Sequence, residues 1–254
     1  MTGTAVGIDI GGTGIKGALV DLATGELLTD RIKIPTPAGG TPDGILAATV
    51  DLVSQLQVHD PDAPVGVCFP AVVKHGVTLS AANISKKWIG LHAEELFEKA
   101  LGRNITFAND ADAAGYAEAS FGAAKGVDGV AIMTTLGTGI GTAILHRGVL
   151  VPNAEFGHLE VDGHDIETRA SNAAREREDL SWAQWAKRLR KFYRALEVYL
   201  SPDLFVVGGG VSKQHEHFLP LLDLKTPIVP AVHRNNAGIL GAASLAVRTI
   251  APLS

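Results

Sequence analysis

The chain has a single cysteine, Cys68, in 254 residues. A disulfide within the chain is excluded, and a cysteine-based zinc site is all but excluded. No run of about 18 apolar residues occurs, so no membrane-spanning helix is expected. Met1-Thr-Gly-Thr4 lacks the charged stretch that opens a secretion signal, and a cytoplasmic protein is expected. Positive charge is not in excess: 22 Lys and Arg stand against 27 Asp and Glu, a net charge of −5. A general nucleic-acid binder is thereby excluded, and a polyanionic substrate would need a local basic patch. The G-x-x-x-x-G-K-[ST] phosphate loop is also missing. Apolar residues make up 46% of the chain, enough for a sizeable core. At about 150 residues per domain, the length fits one large domain or two small lobes.

Glycine, by contrast, is plentiful, and two glycine-rich stretches are similar. Gly12-Thr-Gly-Ile-x-x-Ala18-Leu19 aligns with Gly137-Thr-Gly-Ile-x-x-Ala143-Ile144 at a constant offset of 125 residues. Both sit between strand-like segments, Thr4 to Ile10 and Ile15 to Asp21 for the first, 129–136 and 142–145 for the second. Glycine leaves backbone N–H groups open to phosphate oxygens, and threonine adds a hydroxyl donor. Two such strand–turn–strand loops suggest two similar lobes closing on a phosphate donor; two ordinary hairpin turns are the plainer alternative. Gly12 to Gly17 also spells G-x-G-x-x-G. A dinucleotide fold would require a helix next, whereas Ala18-Leu-Val-Asp21 is strand-like, so that reading is rejected.

Between the two loops lies Asn109-Asp110, at the start of an alanine-rich helix. On its own such a pair is an N-cap. Between two phosphate loops, Asp110 becomes a candidate general base, since phosphoryl transfer needs a carboxylate to accept the hydroxyl proton. Elsewhere, Glu26 to Ile34 is expected as a third strand, Asp43 to Leu56 and 91–101 as helices, Val65 to Phe69 and 105–108 as strands. Val151 to Asp179 shows no periodicity and reads as a long irregular acidic segment. It carries Glu155-Phe-Gly-His158, Glu160, Asp162, His164, Asp165 and Glu167. Leu180 to Tyr199 is the clearest helix, with Trp182, Trp185, Leu189, Phe192, Leu196 and Tyr199 on one apolar stripe. Lys187, Arg188, Arg190, Lys191 and Arg194 cover its other side, as a solvated face or as a cationic rail extended by Arg169, Arg175 and Arg177. Gly208-Gly-Gly210 follows a strand at 204–207 and opens a helix. The helix at 235–247 carries Gly238 and Gly241, small residues suited to close packing across a lobe junction.

Asp9-x-Gly-Gly-Thr-x-x-Lys16, Asn109-Asp110, Leu136-Gly-Thr-Gly-x-Gly141, Glu155-x-Gly-His158 and Gly208-Gly-Gly210, in that order, resemble the ROK family of sugar kinases. The resemblance covers almost the whole chain. It implies an α/β, two-lobed actin/hexokinase/Hsp70-like (ribonuclease H-like) fold with the active site in the cleft between the lobes. The small lobe would span 1–108 and be completed by a C-terminal helix at about 236–254; the large lobe would span 109–235. Most members continue from Glu-x-Gly-His into a cysteine-rich zinc motif, which is missing here, so no zinc is expected. The replacement, Glu160-Val-Asp-Gly-His-Asp-Ile-Glu167, together with Ser181-Trp-x-x-Trp-Ala186 and Asn83-Ile-Ser-Lys-Lys-Trp88, resembles the polyphosphate glucokinase and polyphosphate/ATP-glucomannokinase branch.

By that resemblance Asn83, Asn109, Asp110, Glu155, His158 and Glu167 hold a sugar. Gly11, Gly12, Thr13, Lys16, Thr135, Gly137, Thr138 and Gly139 meet phosphates, and Gly209 and Gly210 face a nucleoside. Asp9 engages Mg²⁺ through water. The donor is polyphosphate, ATP or both, the acceptor the 6-hydroxyl of glucose or mannose, and the assembly a homodimer. The rivals are an ATP-only sugar kinase and, from another class, a sugar-sensing repressor. The repressor would need a DNA-reading domain ahead of Asp9, where eight residues stand.

Overall fold

The computed structural model describes residues 3–247. The chain runs through β1 (Thr4–Ile10), β2 (Gly14–Asp21), β3 (Ile32–Pro35), α1 (Pro42–Gln57) and β4 (Val65–Phe69). A small hairpin of β5 (Val73–Lys74) and β6 (Val77–Thr78) leads to α2 (Ala93–Leu101), β7 (Ile105–Asn109) and α3 (Asp110–Phe121). Then come β8 (Val130–Leu136), β9 (Ile140–His146), β10 (Val149–Val151), β11 (Glu160–Val161) and β12 (His164–Asp165). Helices α4 (Glu167–Ala170), α5 (Asn172–Arg177) and α6 (Trp182–Leu200) precede β13 (Leu204–Gly208), β14 (Ile228–Pro230) and α7 (Ala237–Ala246).

These elements form two compact units. One holds the residues up to Ala113 and those from Asn236 on; the other holds Ala114–Asn235. Each is built on a five-stranded sheet, ordered β3-β2-β1-β4-β7 in the first and β10-β9-β8-β13-β14 in the second. In each, three strands form an antiparallel meander and two more add in parallel. The internal repeat seen in the glycine loops therefore extends to a whole sheet. Each loop joins a central strand to its antiparallel neighbour.

In the first unit α1 and α7 cover opposite faces of the sheet. A Cβ at Gly17 would meet the side chains of Ile8 and of Leu52 on α1. On the other face, Cβ atoms at Gly7 and Gly66 would lie 1.9 Å from the carbonyl oxygens of Ile239 and Ala242 on α7. All five residues of β4 are buried, as expected of a strand covered on both sides. Phe69, Trp88, Phe97 and Phe107 form an aromatic core, and the Trp88 indole N–H donates to Gly40 O at 2.9 Å. In the second unit the core is the apolar stripe of α6, with Trp185, Leu189, Phe192, Tyr193 and Leu196 packed with Ile132, Phe205 and Val207. A capping box between Ser181 and Gln184 starts that helix. Among the described residues no helix is long and apolar enough to cross a membrane.

Several expectations are corrected. The third strand is not continuous from 26 to 34. Leu27 makes one bridge to Val20, then the Thr29 hydroxyl takes the Leu19 N–H at 3.2 Å, and the ladder resumes only at Ile32. The 151–179 segment is not irregular but contains a hairpin and two helices, each too short to show a period. Tyr199 is 66% exposed, outside the stripe that buries Trp185 and Leu196. The segment after Gly209 is a 3₁₀ stretch, Gly210–His217, rather than an α-helix. The small residues of the last helix serve packing inside the first unit. A Cβ at Gly238 would meet Asp9, and one at Gly241 the carbonyl of Ala113. The expected continuation of that helix over 248–254 lies outside the described residues.

The contact between α7 and the sheet is backbone against backbone, so no rotamer change can relieve a larger residue there. Gly66→Ala is expected to destabilise the protein by about 1–3 kcal/mol, the usual cost of overpacking. Chemical denaturation measures it, and an unchanged midpoint would contradict this packing.

Candidate active site

In the first unit the candidate residues collect at the ends of β1, β4 and β7. Ladder register sets their order. Lys16 on β2 stands opposite Asp9 on β1, and Asp9 stands beside Cys68 on β4. Lys16 Nζ lies 3.2 Å from Asp9 Oδ2. The Cys68 thiol faces Asp9 Oδ1 at 3.7 Å and Gly238 O at 3.6 Å. Burial, with the charges of Asp9 and Asp110, pushes the Cys68 thiol well above its ordinary pKa. It is a neutral donor and not a nucleophile. Between β1 and β2 the turn is closed by Gly11 N–H donating to Gly14 O at 3.0 Å, and the Thr36 hydroxyl donates to Gly11 O at 2.5 Å. Gly12 lies against Asn83, whose carbonyl oxygen would stand 2.6 Å from a Cβ at that position. Asn83 adopts φ +56°, a left-handed conformation that asparagine tolerates better than most residues.

Asn109 ends β7 and is buried. Its Oδ1 accepts from the N–H groups of Ala111 at 2.8 Å and Asp112 at 3.1 Å, and its Nδ2 donates to Ala71 O at 3.0 Å. Asn109 thus caps α3 and ties it to the segment that leaves β4. Asp110, half-buried in the first turn, accepts the Ala111 N–H through Oδ1 at 2.9 Å. The cap reading and the catalytic reading therefore fall on neighbouring residues: Asn109 fixes the corner on which Asp110 sits.

In the second unit β8 carries Thr135, and the turn Gly137-Thr138-Gly139 closes by Gly137 N–H donating to Gly139 O at 3.0 Å. Glu167 braces this turn. Its Oε2 accepts the Ile140 N–H at 2.7 Å and would lie 2.3 Å from a Cβ at Gly139. Gly157 permits the single helical turn Phe156–His158 to rest on the Ile140 carbonyl, where a Cβ would come within 1.9 Å. Thr142 holds the preceding residues, bonding Ala154 O and accepting the Phe156 N–H. Glu155, His158 and Glu167 influence one another electrostatically. Loss of hydration raises the Glu155 pKa, His158 opposes that, and Glu167 adds to it. Gly209, at φ +81° and with the Leu136 backbone where its Cβ would be, must be glycine; Gly210 faces open space.

His158 Nδ1 lies 2.8 Å from Asp165 Oδ2. This hydrogen bond is the main reason the His158 pKa is raised above 6.5, against a smaller opposing effect of burial. Sequence reasoning gave Asp165 no role. The hairpin that returns Asp165 to His158 has strands of two residues, too short to read from a pattern. Cys68 and Gly238 were likewise missed as neighbours of Asp9, because strand register brings the one there and the packing of α7 the other. The cations of α6 are largely offset within the unit. Arg188 pairs with Glu178 at 2.7 Å, Lys191 with Asp162 at 2.5 Å and Arg194 with Asp223 at 3.2 Å, while Arg190 donates to Leu221 O at 2.6 Å. Arg175 lies over the Trp182 ring at 4.2 Å.

A raised histidine pKa means that the His158–Asp165 pair stabilises the fold below the ordinary histidine value and loses that contribution as pH rises through the raised one. An NMR titration should place His158 above 6.5. Asp165→Asn should bring it down, and an unmoved value would remove Asp165 as the cause.

Residues 5–171 match the model of the ROK family. The chain is 46% identical over 242 residues to the polyphosphate glucokinase of Mycobacterium tuberculosis strain CDC 1551 / Oshkosh, covering 95% of this chain and 90% of that one. It superposes on the inorganic polyphosphate/ATP-glucomannokinase of Arthrobacter sp. strain KM with a TM-score of 0.88 and 51% identity, covering 95% and 97% of the two chains. It also superposes on a ROK family glucokinase from Streptomyces griseus, solved with glucose and AMPPNP, at a TM-score of 0.80 and 26% identity, covering 96% and 99%. The duplicated α/β architecture is thus the actin/hexokinase-like fold of those kinases, and the chain belongs to the ROK family.

Proposed function

We propose that the protein is a phosphotransferase that phosphorylates the 6-hydroxyl of glucose, and of mannose, with inorganic polyphosphate or ATP as donor. The observation that carries this reading is the 46% identity to a polyphosphate glucokinase across 95% of the chain. The 51% identity to a polyphosphate/ATP-glucomannokinase supports the wider choice of donor and sugar.

In this reading Asp110 is the general base. It takes the proton of the sugar hydroxyl while that oxygen bonds the terminal phosphorus of the donor, and the bond from phosphorus to the bridging oxygen breaks. Asn109 positions Asp110 through the cap of α3. Asn83, Asn109, Glu155, His158 and Glu167 hold the sugar hydroxyls, Glu167 while also bracing the second glycine turn. Gly11, Gly12, Thr13 and Lys16 bind phosphoryl oxygens in the first unit. Thr135, Gly137, Thr138 and Gly139 do so in the second, and Gly209 and Gly210 accept a nucleoside. The reading includes Mg²⁺, which would neutralise charge on the donor. A single carboxylate suits an ion that keeps its waters and takes its other ligands from phosphates. Asp9, already bonded through both oxygens to Lys16 and Cys68, would hold it through water. The reading needs no zinc, and it includes a cytoplasmic homodimer.

Asp110→Asn keeps the shape of the residue and removes the base. Turnover should fall by about a hundred- to ten-thousand-fold, the usual worth of general-base catalysis, while glucose affinity changes little. Steady-state kinetics with an independent measurement of glucose binding checks this. Near-normal turnover would remove Asp110 from the chemistry.

A further inference from the structure

Register on β2 and β3 places Lys33 directly opposite Lys16. Directly opposed residues of an antiparallel pair point to the same face, and like charges there repel. The Lys33 side chain leans along the first glycine turn, with Cε 2.8 Å and Cγ 3.7 Å from where a Cβ of Gly14 would be. Asp9 is taken by Lys16, at 3.2 Å. Two residues before Lys33, Arg31 lies on the same side and donates to Asn236 at 3.0 Å, a neutral partner. Among the described residues the Lys33 side chain has no hydrogen bond or ion pair, and it is exposed. Lys33, Lys16, Asp9 and Cys68 thus form one row across four strands, with one carboxylate for two lysines. By contrast, four of the five α6 cations, Arg188, Arg190, Lys191 and Arg194, stand within 4.0 Å of a carboxylate.

We propose that Lys33, supported by Arg31, is a specificity-determining residue that binds the phosphoryl units of inorganic polyphosphate beyond those held by the glycine turns. An anionic chain lying along the row would relieve the opposition of the two lysines. ATP carries a nucleoside at that end and would not reach the same contact. The inference rests on the proposed polyphosphate-dependent activity. The plainer alternative is that Lys33 only guards an edge strand against pairing with another chain.

The test compares wild type with Lys33→Gln and Lys33→Arg, using long-chain polyphosphate and ATP in turn as sole donor. Lys33→Gln should raise KM for polyphosphate about two- to fivefold, the size of one exposed charge contact. KM for ATP, KM for glucose and kcat at saturating donor should stay at wild-type values, and Lys33→Arg should restore the polyphosphate KM. An unchanged polyphosphate KM, or an equal rise for both donors, overturns the proposal. Direct titration of inorganic polyphosphate into the same proteins separates two failures. Binding by wild type without turnover, weakened in Lys33→Gln, sinks the donor reading and keeps the subsite; equal binding by both proteins sinks the subsite.

Discussion

The first unit depends on the contact of α7 with the backbone of β1 and β4. Gly7 and Gly66 have no side chain, and the helix carbonyls fill the space where Cβ atoms would be. Such an approach leaves no slack, because protein interiors are packed as densely as organic crystals. It also seats Gly238 against the carboxylate of Asp9 and the Cys68 thiol. A stability feature and a site feature are therefore one arrangement. Asp9 keeps its orientation because a helix from the far end of the sequence presses on the strand that carries it.

The second unit reaches a similar end by different means. The segment after Glu155-Phe-Gly-His158 contains no cysteine. Short hydrogen-bonded elements organise it. Thr142 fixes the residues leading in, Gly157 lets the turn settle on β9, Asp165 holds His158, and Glu167 ties the start of α4 to the glycine turn. Each bond is worth little alone, about 1 kcal/mol net for a neutral pair and more where a charge takes part. Together they hold a polar segment in this conformation.

Much of this was legible in the sequence, for identifiable reasons. The strands and the main helices were legible as long apolar or periodic runs, such as Thr4 to Ile10 and Leu180 to Tyr199. The repeat at Gly12 and Gly137 was visible because glycine turns between strands leave little freedom of residue type. What could not be read was set by register or by short elements. The opposition of Lys33 to Lys16 depends on where β3 resumes after Thr29 takes the Leu19 amide. The pairing of Asp165 with His158 depends on a hairpin with two-residue strands. Tyr199 matched the helical stripe in spacing, yet the core continues from Leu196 to Leu200 and leaves Tyr199 exposed.

The most direct test of the account is formation of the 6-phosphate of glucose and of mannose by the purified protein with Mg²⁺, with inorganic polyphosphate as sole donor in nucleotide-free buffer. The account predicts turnover of the sugar with polyphosphate alone. Turnover with ATP and none with polyphosphate would contradict its choice of donor, and no turnover with either would contradict the activity itself.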